Sequence, residues 1–190
     1  GYGQLGDGTS ADASLPVYVT NRVATVTSGG FHSLFAKADG TLWGVGCSIY
    51  GALGNGNGNN VNPLPLYITN EVTAVAAGYV HSLYVRMDGA LWAMGNNKQG
   101  QLGNGHDDEV NSFQVCVTNG VTAVAAGERH SLFVESDGTL WAMGNNEYGQ
   151  LGVGASVVGT NRPVNVPGLT VASLGAMCMA NHSLVVALQA

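Results

Sequence analysis

One block of sequence recurs three times at a fixed interval, and that recurrence limits the possible folds more than any other feature of the chain. Residues 130–152 read HSLFVESDGTLWAMGNNEYGQLG, residues 81–103 read HSLYVRMDGALWAMGNNKQGQLG, and residues 32–54 read HSLFAKADGTLWGVGCSIYGALG. Trp43, Trp92 and Trp141 are each 49 residues apart, as are His32, His81 and His130. A fixed period of roughly 20–50 residues marks a repeat architecture, in which each unit buries its apolar face against the next.

Each period holds four short extended runs. Residues 16–20, 65–69 and 114–118 form one set, and the prolines that open the first two suit an edge strand, where no ladder donor is needed. Residues 23–28, 72–77 and 121–126 are rich in Val and Ala, which fits a strand where neighbouring sheets converge and leave little volume. In the His-Ser-Leu run, alternation puts His81, Leu83, Val85 and Met87 on one face and Ser82, Tyr84 and Arg86 on the other. Asp39-Gly40, Asp88-Gly89 and Asp137-Gly138 predict two-residue hairpin turns into the Leu-Trp run. Helical periodicity is absent. The pattern predicts an all-β fold: propeller blades of four antiparallel strands, one per repeat. The repeats fall at residues 1–22 (partial), 23–71, 72–120, 121–168 and 169–190 (partial), so the 190-residue chain is predicted to be a single partial propeller of about 3.5–4 blades.

These motifs resemble the regulator-of-chromosome-condensation repeat family. The Ala-Ala-Gly and His-Ser-Leu runs, the Asp-Gly-x-Leu-Trp hairpin and the Gly-Gln-Leu-Gly loop all occur in register over nearly the whole chain, and the Asn- and Gly-rich wording is most similar to bacterial members. The resemblance implies a ring, usually of seven blades, used mainly as a binding platform. Two departures stand out. Fewer than four periods fit in the chain, and the last copy places His182 seven positions after Gly175 where the third places His130 three positions after Gly127. The chain begins with Gly inside the repeat text, so it reads as a fragment whose ring is completed by missing repeats, or alternatively by a partner chain. Isolated, its open blade faces are expected to self-associate.

Composition narrows the partners. Charged residues make up 9 % of the chain, against about 25 % in ordinary globular proteins, and the net charge is −6. The six cations, Arg22, Lys37, Arg86, Lys98, Arg129 and Arg162, are scattered, which argues against nucleic acid and against an anionic membrane surface. Cys47, Cys116 and Cys178 are odd in number and lack metal-ligand spacing, so no zinc site and no disulfide framework is expected. No apolar run approaches the roughly 18 residues of a helical membrane span.

Candidate chemistry must be weighed against the repeat itself. His32, His81, His130 and His182 could form a ring of imidazoles around a metal. Symmetry would hold them a blade apart, however, beyond the ~2.0–2.1 Å of metal–nitrogen bonds, and a residue found in every blade more simply serves the blade by bonding backbone between sheets. Trp43, Trp92 and Trp141 recur equally and are expected to pack the outer strands. A Trp-based photoreceptor motif known in the family would fall at Gly127-Glu128-Arg129-His130, where Glu replaces Trp. Ser33, Ser82, Ser131 and Ser183 follow the histidines, but alternation sets Ser and His on opposite faces and no orienting acid stands near. The Gly-rich residues 55–60 lack the Lys-Ser/Thr of a phosphate loop. An enzyme is not expected, nor is a cofactor.

Function is therefore sought where the copies differ: residues 7–15, 55–64, 104–113 and 153–162. The candidate partner-binding residues are Asn57, Asn59 and Asn60 in one such loop and His106, Asp107, Asp108 and Glu109, the one acidic cluster, in another. The reading is a non-catalytic scaffold that binds a protein partner through variable loops. An architectural module of a secreted or cell-surface protein is a second reading, favoured by low charge and Asn/Thr richness. Guanine-nucleotide exchange on a small GTPase, the founding activity of the family, is a third; it needs a protruding insertion that no loop here is long enough to supply.

Overall fold

The computed structural model describes residues 1–175 and 179–187. Its strands form blades in chain order. Blade 1 comprises β1 (Val23–Ser28), β2 (His32–Lys37), β3 (Leu42–Cys47) and β4 (Val61–Thr69), hydrogen-bonded antiparallel in the order β1-β2-β3-β4. Blade 2 repeats this with β5 (Val72–Ala77), β6 (His81–Arg86), β7 (Leu91–Gly95) and β8 (Asn111–Thr118). Blade 3 contains β9 (Val121–Ala126), β10 (His130–Glu135), β11 (Thr139–Asn145) and the first part of β12 (Gly159–Gly175). The far part of β12 pairs with β13 (Leu184–Ala187), through Val171↔Ala187 and Leu174↔Val185, and opens a further blade. The chain is thus an all-β arc of three complete blades with a partial blade at its end.

Period-two alternation explains why the blades stack. On β2, Leu34 and Ala36 face blade 2 and join Tyr84 from the opposite face of β6 in one core cluster. On β6, Leu83 and Val85 face blade 3, where Phe133 of β10 meets them. Both faces of the middle blade are therefore buried, and β1, β5 and β9, the strands of small residues, meet one another along the inner side. At the beginning of the arc this burial stops. Val26 is 71 % exposed on β1, and an open cavity of about 510 Å³ there is lined by Leu5, Val17 and Val23 among others. At the far end Leu184 and Val186 are exposed.

Four local expectations are corrected. Residues 16–20 form no strand, although 65–69 and 114–118 lie within β4 and β8, where they pair with the Leu-Trp strands β3 and β7. The Asp-Gly turns are three-residue loops: Lys37 N–H bonds Thr41 O, Gly40 alone takes positive φ (81°), and the Asp39 carboxylate caps Thr41 N–H at 3.0 Å. The third residue is needed because Asp39 stays on the ordinary side of φ and Gly40 supplies the reversal. Met87 does not share the buried face of His81; it lies in such a turn and is exposed. His182 differs from its three counterparts in being exposed and outside any strand, and residues 176–178 of the expected insert, Cys178 included, lie outside the described residues. No helix among the described residues is long and apolar enough to cross a membrane.

Candidate functional site

The repeated His-Ser pair meets across blades. His32, His81 and His130 are 0–1 % exposed, and their Nε2 atoms lie 2.8, 3.0 and 2.8 Å from the hydroxyls of Ser82, Ser131 and Ser183 in the following blade. Those hydroxyls donate in turn to the carbonyls of Ala52, Gln101 and Gln150. Each serine has one proton and gives it to a carbonyl, so each imidazole must donate from Nε2–H, and Nδ1 is left without a partner. The expected histidine–backbone bond is therefore corrected to a relay through serine, and the expected separation of Ser from His holds only within a blade. Opposite faces of adjacent blades look at each other, which brings the two together.

This pair has no catalytic chemistry to offer. A histidine that donates to serine cannot take its proton, no acid orients Nδ1, and burial pushes the histidine pKa values down to about 4, 3 and 4 for His32, His81 and His130. The bulk of each ring is fitted by a glycine three positions ahead: a Cβ on Gly29, Gly78 or Gly127 would stand 2.4, 2.1 or 2.0 Å from Cε1 of the imidazole that follows it. Among the described residues no three His, Cys, Asp or Glu side chains gather as a metal site. The tryptophans sit between strands: Trp43, Trp92 and Trp141 pair laterally with Phe35, Tyr84 and Phe133, the last two as parallel rings 6.4 and 6.2 Å apart.

Strand direction sorts everything else onto two rims. One rim carries the Asp-Gly turns, equal in length in every blade. The other carries both the long loops after β3, β7 and β11 and the short links before each histidine. Backbone bonds tie loop to link there, from Cys47 N to Phe31 O, Asn96 N to Val80 O and Asn145 N to Arg129 O, at 2.8–2.9 Å. Buried amides hold the loops in shape. Asn97 Oδ1 accepts Leu102 N–H at 2.9 Å while its Nδ2 donates to Asn104 Oδ1 and His106 O, and Gln101 bonds Asn96. Asn146, Leu151, Gln150 and Asn145 repeat the arrangement.

Two clefts open on this loop rim. The first, of about 440 Å³, has an apolar wall of Phe31, Ile49, Tyr50 and Tyr79 and a polar wall that includes Lys98, Gln99, Glu109 and Arg129. Phe31 lies edge-on to Tyr2 at 5.0 Å and tilted against Tyr79 at 5.3 Å, so the rings form a row across blades. The second, of about 420 Å³, is lined by Lys98, Gln99, Asp107, Thr160 and Asn161 among others. Lys98 and Gln99 belong to both.

Of the residues singled out in the sequence, Glu109 lines the first cleft and pairs with Lys98 at 3.9 Å; Asp107 lines the second and accepts from Asn161 of blade 3 at 2.8 Å. His106 and Asp108 are exposed on the same loop outside both clefts. Asn57, Asn59 and Asn60 are exposed on the preceding loop and line neither. Phe31, Tyr50, Tyr79, Lys98, Gln99 and Arg129 were not anticipated. A signal for three of them exists: the two residues before each histidine read Gly30-Phe31, Tyr79-Val80 and Glu128-Arg129, different in every copy although they stand between a repeated Gly and the repeated His.

Comparison with known proteins places this architecture. The sequence profile described as the Regulator of chromosome condensation (RCC1) repeat matches residues 39–85, 88–134 and 137–186, and a second profile of the same description matches residues 72–101 and 121–150. Among solved structures, yeast RCC1 (Prp20) bound to Kap60 superimposes with a TM-score of 0.77 at 20 % identity, covering 91 % of this chain and 43 % of that one. Human WBSCR16 gives 0.75 at 23 % identity, covering 92 % and 50 %. Prp20p from Saccharomyces cerevisiae, studied for its binding to Gsp1p and histones, gives 0.73 at 19 % identity, covering 91 % and 45 %. The chain thus spans half or less of the length of these structures, and at such identities the likeness is one of fold. No curated protein matches the chain significantly.

Proposed function

This chain belongs to the regulator of chromosome condensation repeat family, and we propose that it serves as a non-catalytic binding module that holds another protein on its loop rim. One observation carries the reading. The longest stretches in which the copies differ and the aromatic row fall on the loop rim, while the turn rim keeps one backbone form in every blade. Repeat proteins hold their frame constant and vary the face that meets a partner. The low and scattered positive charge supports a protein in preference to a nucleic acid. The related structures include complexes or binding studies with Kap60, Gsp1p and histones, which is consistent with a propeller used for protein recognition.

A photo-crosslinking residue placed at Tyr148, 72 % exposed on the loop rim, is compared with one at Met87, 74 % exposed on the turn rim. In extract from the source cells, position 148 captures a discrete protein that excess unlabelled chain competes away, and position 87 does not. Equal capture at both positions, or capture at 87 alone, overturns the assignment.

A further inference from the structure

The two ends of the arc carry opposite halves of one junction. Where complete blades meet, the earlier blade brings a histidine, a leucine and an alanine or valine at alternate positions of its second strand, and the later blade answers with a serine and an aromatic ring. Among the described residues these halves stay unmatched at the two ends: His182, Leu184 and Val186 are exposed at the far end, and Ser33 and Phe35 line the open cavity at the beginning. We propose that the far end of one copy docks on the beginning of a second copy, head to tail, with His182 of the first donating to Ser33 of the next. The contact uses the sides of the blades and leaves the loop rim free, so it stands apart from the partner reading above.

Three matched pairs select a second copy as the occupant. The first is polar. The Ser33 hydroxyl donates to the Gln4 carbonyl at 3.1 Å, as Ser82 and Ser131 donate to Ala52 and Gln101, so it has the carbonyl half of the relay and lacks the imidazole N–H. His182 directly precedes Ser183, which His130 already engages at 2.8 Å, and His182 itself is exposed. The second pair is apolar. In each complete blade the second-strand leucine shares a core cluster with the leucine of that blade's long loop: Leu34 with Leu53, Leu83 with Leu102 and Leu132 with Leu151, all 0–1 % exposed. Leu184 holds the strand position and is 69 % exposed; Leu5, in Gln4-Leu5-Gly6, holds the loop position and is 40 % exposed. Each is the half that the other needs, and their burial drives the contact. The third lies on the inner strands. Val75 and Val124 pack into the interblade clusters, whereas Val26, at the same position of β1, borders the cavity and is exposed. Two beginnings or two far ends brought together would match none of these pairs, so the contact is heterologous and continues an interface that the chain builds between its own blades.

Sedimentation of the 190-residue chain tests this. The chain is expected to associate reversibly, with a dissociation constant of the order of 1–100 µM. Val26→Glu spoils the beginning and Leu184→Glu the far end, and each variant alone is expected to sediment as a monomer, because a buried unpaired carboxylate is costly. An equimolar mixture of the two restores a species of two chains, since one variant keeps a sound far end and the other a sound beginning. Ser33→Ala and His182→Ala each weaken association by about tenfold, and together no more than either alone, because they remove the same bond. Should a glutamate disturb the fold of its own copy, the Ser33 and His182 variants carry the test. A chain that stays monomeric at about 200 µM, well above the expected dissociation constant, overturns the proposal. So does either glutamate variant that self-associates, a mixture that does not pair, or alanine effects that simply add.

Discussion

Blades 1 and 2 have the same strand order and nearly the same register, yet they hold together by different means. Blade 2 is buried on both faces, and Val72 at the start of its inner strand is 8 % exposed; Val23, the same position in blade 1, is 39 % exposed. Ser82 is clasped by His32 and the Ala52 carbonyl, whereas Ser33 has only the Gln4 carbonyl at 3.1 Å. In blade 2 the long loop is built on buried Asn97; in blade 1 Ser48 takes its place and bonds Asn57 O and Leu53 N–H through one hydroxyl. Blade 1 in turn has what blade 2 lacks. Trp43 Nε1 donates to Thr41 at 2.9 Å, while Ala90 stands at the matching position and leaves Trp92 Nε1 buried and unpaired. The comparison separates what stacking requires, the apolar alternation and the His–Ser relay, from details that each blade solves on its own.

Acid offers the largest way to break it. In the unfolded chain a histidine binds its proton near pH 6.5, but in the folded chain only at about 3 for His81 and about 4 for His32 and His130. Over that window the unfolded state holds more protons, so stability is complete above about pH 6.5 and falls as pH drops toward the folded values. At about 1.4 kcal/mol per pKa unit the loss is of order 3 kcal/mol for His32 and His130 and about 5 kcal/mol for His81 by the acid end. Urea denaturation at pH 7, 5.5 and 4.5 is expected to show midpoints that decline steadily; identical midpoints would remove the relay from the energetics of stacking.

A smaller effect sharpens the contrast between the serines. Ser82→Ala strands His32 Nε2–H and the Ala52 carbonyl in a dry interface and should cost about 2–3 kcal/mol. Ser33→Ala loses one hydrogen bond and should cost about 1 kcal/mol or less. Equal losses in denaturant unfolding would show that the bridging histidine contributes nothing. The smallest effect is a gain. Ala90→Thr gives Trp92 Nε1 the acceptor that Trp43 has, and lets the new hydroxyl bond Asp88 as Thr41 bonds Asp39. A rise of about 0.5–1.5 kcal/mol is expected, with little change if Trp92 keeps its present contacts.

Much of the frame was legible before any coordinates. The 49-residue period, the alternation at His81, Leu83 and Val85, and the Val/Ala runs predicted four-stranded antiparallel blades, because those patterns are local and repeat. The same localness limited the reading. Alternation along one strand told Ser82 from His81 but could not say that His32, fifty residues away, faces Ser82 across the interface. The Asp-Gly turns were misjudged by one residue, since only the backbone φ of Asp39 and Gly40 distinguishes a two-residue from a three-residue loop. In the candidate site, the search by variation reached Asp107 and Glu109 in the long loops. It passed over Phe31, Tyr79 and Arg129, whose two-residue links stand between a repeated Gly and the repeated His.

By itself, then, the sequence determined the blade: its strand pattern, the alternation of its faces and the interval at which it recurs, all set by residues near in the chain. Only the tertiary structure decided which faces meet, which imidazole nitrogen carries the proton, and which variable residues gather on one rim. Those depend on how blades stack, and stacking brings together positions about fifty residues apart whose juxtaposition no periodicity within one repeat encodes.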